Sequence, residues 1–239
     1  MTEPRAAGPR HMMPARYQDG EWQRPFQEAA HEVLTPNSRV LDIGAGRRPT
    51  ISPADRPAGC TYVGFDISAD ELAVAPEGAY DETITGDVTV RRRDLTERFD
   101  LVLCWQVLEH VKPLSQALEN IRSYLCSSGR FVGQLSGAFS PFGLVNRVVP
   151  HRVAVAILQG MLRRDPATVF PAYYDKCWYS ALCDLGSPWK QFRVEPLFGG
   201  ATYFAFAAPL QRAYLHYEEW TARHEFRNLA THYLLVGDE

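Results

Sequence analysis

The stretch from Arg39 to Gly46 (RVLDIGAG) constrains the fold more than any other part of this chain. Val40, Leu41 and Ile43 make it a short apolar run, and glycines follow at once. A continuous apolar run that ends in glycines predicts a strand that is buried on both faces and stops at a ligand. Glycine has no Cβ, so the backbone can turn tightly there and a ligand can approach the main chain.

The next apolar run, from Tyr62 to Asp66 (YVGFD), also ends in an acid. Asp66 lies about twenty residues past the glycines, where an open α/β fold places the carboxylate that binds a ribose. A dinucleotide-binding dehydrogenase would need a third glycine three residues after Gly46, and Pro49 stands there instead. A phosphate-binding P-loop is excluded, because no Gly-Lys-Ser/Thr sequence follows the glycines.

A second motif follows further along the chain. The run from Phe99 to Gln106 (FDLVLCWQ) predicts another buried strand, and Val107 to Val111 (VLEHV) comes directly after it. The motif at 42–46 (DIGAG) resembles the first motif of class I S-adenosylmethionine-dependent methyltransferases. The second motif resembles the ubiquinone-type branch of the small-molecule methyltransferases.

The resemblance covers residues 35–136 and, more weakly, 176–239. It implies an α/β, Rossmann-like methyltransferase fold with a helical lid insertion. The expected sheet has seven mostly parallel strands in the order 3-2-1-4-5-7-6, with the last strand antiparallel. It also implies S-adenosyl-L-methionine as the cofactor.

By the same resemblance, particular residues hold the cofactor. Gly44 and Gly46 would let the backbone approach its amino-acid part, and Asp42 would orient that loop or, through water, the ammonium group. Asp66 would accept both ribose hydroxyls. The remaining residues of the expected cofactor site are Ala45 in the loop, Ile67 beside the ribose, Asp87 and Val88 at the adenine, and Trp105 and Gln106 facing the methionine and the acceptor.

His110, with Glu109 beside it, is the candidate general base for an oxygen acceptor. A purely structural role for this histidine remains open. Some relatives bind a divalent metal through Glu-x-x-Glu-His, but here Gln106 stands at the first carboxylate position. An amide oxygen is a weaker ligand for a hard cation, so we expect no required metal.

The chain divides into four parts in this interpretation. Residues 1–16 form a disordered arm, 17–136 the cofactor-binding core, 137–175 the lid, and 176–239 the rest of the core domain. Within the lid, an apolar helix with basic ends is predicted at 152–164. His151, Tyr173 and Tyr174 are secondary candidates for contact with the acceptor. The alternative for 139–164 is peripheral contact with an anionic membrane.

Local sequence patterns lead to three further expectations. Three prolines between residues 47 and 59 leave room for only a single helical turn near Ser52–Asp55. The helix that Pro113 opens is expected to close at Gly129. Arg47 could meet the cofactor carboxylate, as could its neighbour Arg48, although solvent exposure is the favoured interpretation.

Composition limits the function further. The chain has 239 residues and a net charge of -3, which gives no help to a nucleic-acid partner. Its five cysteines lack a CxxC pair, as expected for reduced thiols of a cytoplasmic protein. No run of 18 apolar residues predicts a transmembrane helix. The oligomeric state is not predicted.

We therefore expect methyl transfer to a small-molecule acceptor, with oxygen nucleophiles favoured. Two alternatives stay open: a protein that binds S-adenosylmethionine without catalysis, and a methyltransferase that acts on a lipid or glycan at the membrane surface. An NAD-dependent oxidoreductase is disfavoured by Pro49.

Overall fold

The structure is a computed structural model that describes residues 14–18, 20–141, 143–144 and 171–239. These residues form a seven-stranded sheet in the order β3-β2-β1-β4-β5-β7-β6, as the resemblance implied. The strands are β1 (Arg39–Ile43), β2 (Thr61–Asp66), β3 (Glu82–Thr85), β4 (Phe99–Trp105), β5 (Leu125–Ser136), β6 (Gln191–Leu197) and β7 (His232–Asp238). The pairings among β1 to β5 are parallel, and β7 runs antiparallel to both β5 and β6.

The first strand is buried on both faces, as its continuous apolar run predicts. Leu41 and Ile43 belong to a large core cluster on one face of the sheet. Val40 packs on the other face with Phe26 and other residues near the N-terminus of the described chain. Burying apolar side chains on both faces leaves the polar ends of the strands as the natural place for a ligand.

Helices cover both faces of the sheet. They are α1 (Arg24–His31), α2 (Ala69–Ala73), α3 (Leu114–Tyr124), α4 (Tyr179–Leu185) and α5 (Ala208–Arg223). The buried face of α3 includes Leu114, Ala117, Leu118 and Ile121, at the spacing of three and four residues that predicted this helix. Gly186 is the C-cap residue of α4.

The predicted end of α3 was wrong. The helix stops at Tyr124, and Leu125 begins β5 at once, so Gly129 lies inside the strand rather than at a helix cap. A Cβ at Gly129 would lie 2.8 Å from the carbonyl oxygen of Phe99. The glycine therefore serves the close approach of β5 to the start of β4.

The connection from β1 to β2 contains the single turn that its prolines predicted. Pro53–Asp55 form a short 3-10 helix, with Pro53 at its first position. The charged run at 91–98 is likewise a connection, with a 3-10 turn at Arg93–Leu95 between β3 and β4. The third strand ends at Thr85, two residues before Asp87.

The N-terminal arm differs from expectation at its end. Ala15–Tyr17 form a 3-10 turn, Tyr17 is buried, and the Arg16 side chain pairs with Glu219 of α5. Most of the predicted lid at 137–175 lies outside the described residues, including His151 and the helix predicted at 152–164. The same holds for much of 139–164, the stretch considered for membrane contact. No helix in the described ranges has the length and hydropathy that a membrane crossing requires.

The topology brings several chain segments to one edge of the sheet. Parallel strands β1, β2, β3, β4 and β5 all end there. His232 also lies at this edge, because β7 is antiparallel and its first residue pairs with Ser136, the last residue of β5. Ligands of open α/β sheets bind outside the carboxyl ends of the strands.

Candidate active site

The glycine loop turns tightly at the end of β1. Gly44 and Gly46 have φ angles of 73° and 50°, a region that residues with a Cβ adopt at a cost. The amides of Gly44 and Ala45 donate to the carbonyl oxygen of Phe65, at 2.8 and 3.3 Å. A Cβ on Gly44 would overlap the side chain of Val107. The loop is thus confined between the end of β2 and the segment that follows β4.

The carboxylate of Asp66 lies directly against this loop. Its Oδ2 accepts a hydrogen bond from the Gly46 amide at 2.9 Å, and its Oδ1 accepts from the Ser68 amide at 2.8 Å. A carboxylate oxygen can accept more than one hydrogen bond, so both oxygens retain acceptor capacity. The arrangement can receive two neighbouring hydroxyl groups, such as those of a ribose.

Asp42 supports the loop from beneath. It is fully buried, and its carboxylate accepts hydrogen bonds from the amide and hydroxyl of Thr50, both at 2.7 Å, and from the Tyr62 hydroxyl at 2.8 Å. Burial raises the pKa of Asp42 to about 6, and these hydrogen bonds oppose the rise. The partners of this acid are protein groups, which fits the loop-orienting role expected of it.

Further polar contacts hold the loop where other folds of this kind place a longer helix. The Tyr80 hydroxyl donates to the carbonyl of Ala45 at 2.8 Å. The Arg56 guanidinium stacks over the Tyr62 ring at 3.7 Å and donates to the carbonyls of Ile51 and Ala79. Tyr80 and Arg56 belong to no motif, so these contacts could not be predicted from the sequence.

Arg47 forms a bidentate ion pair across the edge of the loop. Its Nε and Nη2 lie 2.7 and 2.6 Å from the carboxylate oxygens of Glu71 in α2. The Glu71 pKa is lowered, chiefly by this hydrogen-bonded pairing. The pair is partly exposed. Arg47 is therefore engaged by α2 rather than simply extended into solvent.

The part of the cofactor site that is expected to hold the adenine lies beside Asp66. The Gly86 amide donates to the carbonyl oxygen of Asp66 at 2.9 Å, which joins the segment after β3 to the end of β2. Asp87 is exposed, and its Oδ1 accepts from the amide and hydroxyl of Thr89. The Val88 carbonyl is held by Asn120 at 2.9 Å. Ile67 exposes 64% of its surface, which suits a side chain that would cover a bound ring.

The end of β4 carries a strained glutamine. Gln106 has a φ of 54°, and its amide donates to the Gln134 carbonyl at 2.8 Å. Its Oε1 accepts from the Ser136 hydroxyl at 2.9 Å. Its Nε2 is buried and has no hydrogen-bond partner among the described residues. A buried unpaired donor costs about 1–3 kcal/mol, so a ligand oxygen there would be favourable.

His110 lies at the end of the 3-10 turn Leu108–His110. Its Nδ1 is 3.1 Å from the carbonyl oxygen of Pro171. A carbonyl only accepts, so Nδ1 carries the proton and Nε2 of the neutral ring carries the lone pair. That tautomer is the one a general base needs at Nε2.

Glu109 connects this turn to the residues that follow 145–170, the segment that the structure does not describe. Its carbonyl accepts from the amides of Tyr173 and Tyr174, at 2.9 and 3.0 Å. Its side chain is buried beneath Ser136, and burial raises the Glu109 pKa, while His110 opposes the rise. Tyr173 is exposed and Tyr174 is buried, so of these two candidates only the Tyr173 side chain is open to solvent.

Residues 17–34, with Trp22 and Phe26, are expected to form a helix on the sheet edge or over the cofactor, and both side chains lie at this edge, where Trp22 also meets His232. The Trp22 ring centroid lies 5.0 Å from that of Trp105 and 5.2 Å from that of His232. Phe26 packs edge-on against Trp105 at 4.7 Å. The place of His232 was not predicted, and the available signal for it was the expected strand order, which puts the start of β7 beside the end of β5.

No cluster of three or more potential metal-binding side chains occurs in the described ranges. The lack of a metal requirement stays a prediction, and it depends on Gln106 standing where some relatives have a carboxylate.

The strand order, the glycine loop and the acid that ends β2 define a Rossmann-like α/β class that binds an adenosyl group. A family model described as "Methyltransferase domain" matches residues 15–173. The chain therefore belongs to the class I S-adenosylmethionine-dependent methyltransferase family.

Curated relatives match a shorter part of the chain. A ubiquinone biosynthesis O-methyltransferase of Bradyrhizobium sp. (strain ORS 278) is 33% identical over 110 residues, which cover 45% of this chain and 38% of the relative. A second, from Nitrobacter winogradskyi, is 34% identical over 94 residues, covering 38% of this chain and 36% of the relative. The matches thus span less than two fifths of the length of these relatives.

Solved structures share the fold over nearly the whole chain. A SAM-dependent methyltransferase from Archaeoglobus fulgidus has a TM-score of 0.53 at 18% identity, covering 92% of this chain and 95% of its own. Phosphoethanolamine N-methyltransferase 2 of Haemonchus contortus, in complex with S-adenosyl-L-methionine, has a TM-score of 0.56 at 13% identity, covering 94% and 58%. At such low identity the likeness concerns the fold alone.

Proposed function

We propose that this chain transfers a methyl group from S-adenosylmethionine to a hydroxyl oxygen of a small-molecule acceptor. One contact carries the proposal: the 2.9 Å hydrogen bond from the Gly46 amide to Oδ2 of Asp66. It holds a glycine turn and a carboxylate that can accept further hydrogen bonds side by side at the carboxyl edge of the parallel strands. A nucleoside without phosphates fits such a site, because the loop has no lysine or helix for a pyrophosphate.

The described residues fit the cofactor along its length. Gly44 and Gly46 leave the main chain open to the amino-acid part, and the unpaired Nε2 of Gln106 can donate to a carboxylate. Asp66 can receive the ribose hydroxyls. Ile67 is exposed beside the expected adenine position, where Asp87 and the Val88 amide complete the site. When bound, S-adenosylmethionine supplies a methyl carbon that its positive sulfur already activates.

The protein's part in such a transfer is mainly to orient the reactants and exclude water. Holding two reactants in line can contribute about 7–11 kcal/mol to lowering the barrier. Trp105, under Trp22, gives an apolar wall at the end of β4. His110 would take the proton of the acceptor hydroxyl at Nε2, the atom that carries the ring's lone pair, while S-adenosylmethionine would supply the methyl group and leave as S-adenosylhomocysteine.

The oxygen acceptor is supported by two considerations. The curated relatives with about one third identity are O-methyltransferases by name. In addition, an oxygen nucleophile usually needs a base, and the His110 tautomer provides one within a few residues of the cofactor-contacting end of β4.

Incubation of the purified chain with methyl-labelled S-adenosylmethionine and a small-molecule cell extract tests the proposal. We expect labelled methyl ethers among the low-mass products, identified by mass spectrometry. Labelled amines would contradict the oxygen acceptor. Tight binding of S-adenosylhomocysteine without any labelled product would favour a cofactor-binding protein without catalysis.

A further inference from the structure

A closed ring of contacts surrounds the carboxylate of Asp66. Its Oδ2 accepts from the Gly46 amide at 2.9 Å, and its Oδ1 accepts from the Ser68 amide at 2.8 Å. The Ser68 hydroxyl caps α2 by accepting from the Glu71 amide at 3.2 Å. The Glu71 side chain in turn holds the guanidinium of Arg47, the residue that follows Gly46. The two amides that bind Asp66 therefore belong to segments that are joined a second time, through Arg47 and Glu71.

The ion pair of Arg47 with Glu71, which we call the clasp, is the one link of this ring that side chains alone provide. It joins the glycine loop to α2. Nε of Arg47 lies 2.7 Å from Oε2 of Glu71, and Nη2 lies 2.6 Å from Oε1. A planar guanidinium that meets both oxygens of a carboxylate fixes orientation as well as distance. The clasp can therefore set the position of the loop relative to α2.

The clasp lies close to the oxygen that is expected to receive the ribose. A Cβ built on Gly46 would lie 3.7 Å from Oδ2 of Asp66 and 3.9 Å from Oε2 of Glu71. The two carboxylates therefore lie on the same side of the main chain at Gly46. Neighbouring carboxylates repel each other, and an unpaired Glu71 would offer hydroxyl groups a second acceptor. Pairing with Arg47 neutralises Glu71 and leaves Asp66 as the acceptor.

The whole fold gains little from the clasp, because its side chains expose 46% and 21% of their surface and such ion pairs contribute little to stability. A short loop is a different matter. On its other side, the Tyr80 hydroxyl donates to the carbonyls of Ala45 and Gly46, at 2.8 and 3.1 Å. Tyr80 and the clasp together hold the glycine loop from two directions.

We propose that Arg47 and Glu71 are positioning residues for the cofactor. The clasp keeps the Gly46 and Ser68 amides on the two oxygens of Asp66, so that the remaining acceptor capacity of this carboxylate faces the ribose hydroxyls. The inference rests on the proposed function and adds two residues to it. The clasp acts on the nucleoside part of the cofactor, so Arg47 stays with Glu71 and does not bind the carboxylate of the amino-acid part.

Two nucleosides test this role in the full chain. S-adenosylhomocysteine has the amino-acid part, whereas 5′-methylthioadenosine keeps the adenosine and the sulfur but lacks it. We expect Arg47→Met and Glu71→Gln each to weaken both nucleosides by the same factor, at least about threefold, and a smaller loss would overturn the proposal. The double variant should bind no more weakly than either single variant, because the two side chains act as a unit.

Two other roles of the pair predict different results. If Arg47 binds the cofactor carboxylate, Arg47→Met weakens S-adenosylhomocysteine alone, and Glu71→Gln binds it more tightly because Arg47 is released. If the pair is merely structural, both variants unfold at lower urea concentration but keep both dissociation constants. Either result would overturn the proposal.

Calorimetric titration measures the dissociation constants, and Asp238→Asn is the matched control. Nε and Nη2 of Arg130 lie 2.6 and 3.3 Å from the Asp238 carboxylate, where β5 begins and β7 ends, at the opposite edge of the sheet. This variant should bind both nucleosides like the wild type, and an equal loss there would contradict a specific role of the clasp.

The same titrations separate this inference from the proposed function. A wild type that binds neither nucleoside would refute the cofactor site and the clasp together. A wild type that binds both, with clasp variants that bind them equally well, would refute the clasp alone.

Discussion

The Tyr62 hydroxyl of β2 donates a hydrogen bond to Oδ2 of Asp42 in β1, at 2.8 Å, directly beneath the glycine loop. The same hydroxyl accepts from the Ile51 amide at 3.1 Å. Tyr62 therefore links the buried acid of the first motif to the proline-rich connection that follows it. In this way the protein fixes the loop without a long helix between β1 and β2.

Tyr62→Phe should weaken cofactor binding although Tyr62 lies beneath the loop. The substitution leaves a buried carboxylate and an amide each short of one partner, so we expect a stability loss of about 1–3 kcal/mol. S-adenosylhomocysteine affinity should fall by about three- to tenfold. Tyr233→Phe is the matched control, since the Tyr233 hydroxyl donates to the Arg227 carbonyl away from the loop. Equal affinities for the two variants would contradict this account of the loop.

Gly44→Ala should abolish cofactor binding. Gly44 and Gly78 have similar φ angles of 73° and 76°, so alanine costs about 1–2 kcal/mol of backbone strain at either position. Only at Gly44 does the new Cβ meet a side chain, that of Val107; at Gly78 no heavy atom of the described residues lies within 4 Å. Thermal unfolding and titration with S-adenosylhomocysteine compare the two. Retained binding by Gly44→Ala would show that the turn is not needed.

His110→Gln should slow methyl transfer without changing cofactor affinity. Loss of a general base lowers the rate by about a hundredfold or more. His216→Gln, on the exposed side of α5, is the control and should leave kcat unchanged. The rate of labelled methyl transfer at saturating cofactor measures the effect. A kcat within about threefold of the wild type would show that His110 is not the general base and has only a structural role.

The strand order could be predicted because each motif marks the end of a particular strand. The glycines after Ile43 and the acid at the end of YVGFD define the first two strands, and FDLVLCWQ defines the fourth. The antiparallel last strand came from the family resemblance rather than from periodicity. By contrast, Gly129 misled the prediction, because a glycine after an amphipathic run usually ends a helix, whereas here the chain enters β5 directly at Leu125.

The supporting contacts of the site could not be predicted from the sequence. The role of Asp42 as an orienting group was expected, but its partner Thr50 lies in no motif, and nothing in the YVGFD run indicates that the Tyr62 hydroxyl reaches Asp42. Trp22 and His232 meet only because the turn before α1 and the start of β7 lie at the same sheet edge. Such side-chain contacts depend on packing between segments far apart in the chain, which local patterns do not encode.

The burial of His232 should appear in the pH dependence of folding. Its pKa falls from 6.5 to about 4 in the folded protein, so its contribution to stability is complete above pH 6.5 and is lost as the pH falls toward 4. Relative to His232→Gln, the wild type should lose about 3 kcal/mol of unfolding free energy between pH 7 and pH 4. Urea unfolding at several pH values measures this difference. A difference that does not change with pH would show that the imidazole is accessible to water.

Titration of S-adenosylhomocysteine into the wild type, Asp66→Ala and Asp100→Ala tests the central claim most directly. Asp100 also accepts a backbone amide, that of Arg39, but at the opposite edge of the sheet. We predict that Asp66→Ala weakens binding by about tenfold or more, because charge-assisted hydrogen bonds are lost, while Asp100→Ala binds like the wild type. An unchanged dissociation constant for Asp66→Ala would contradict the assignment of this edge as the cofactor site.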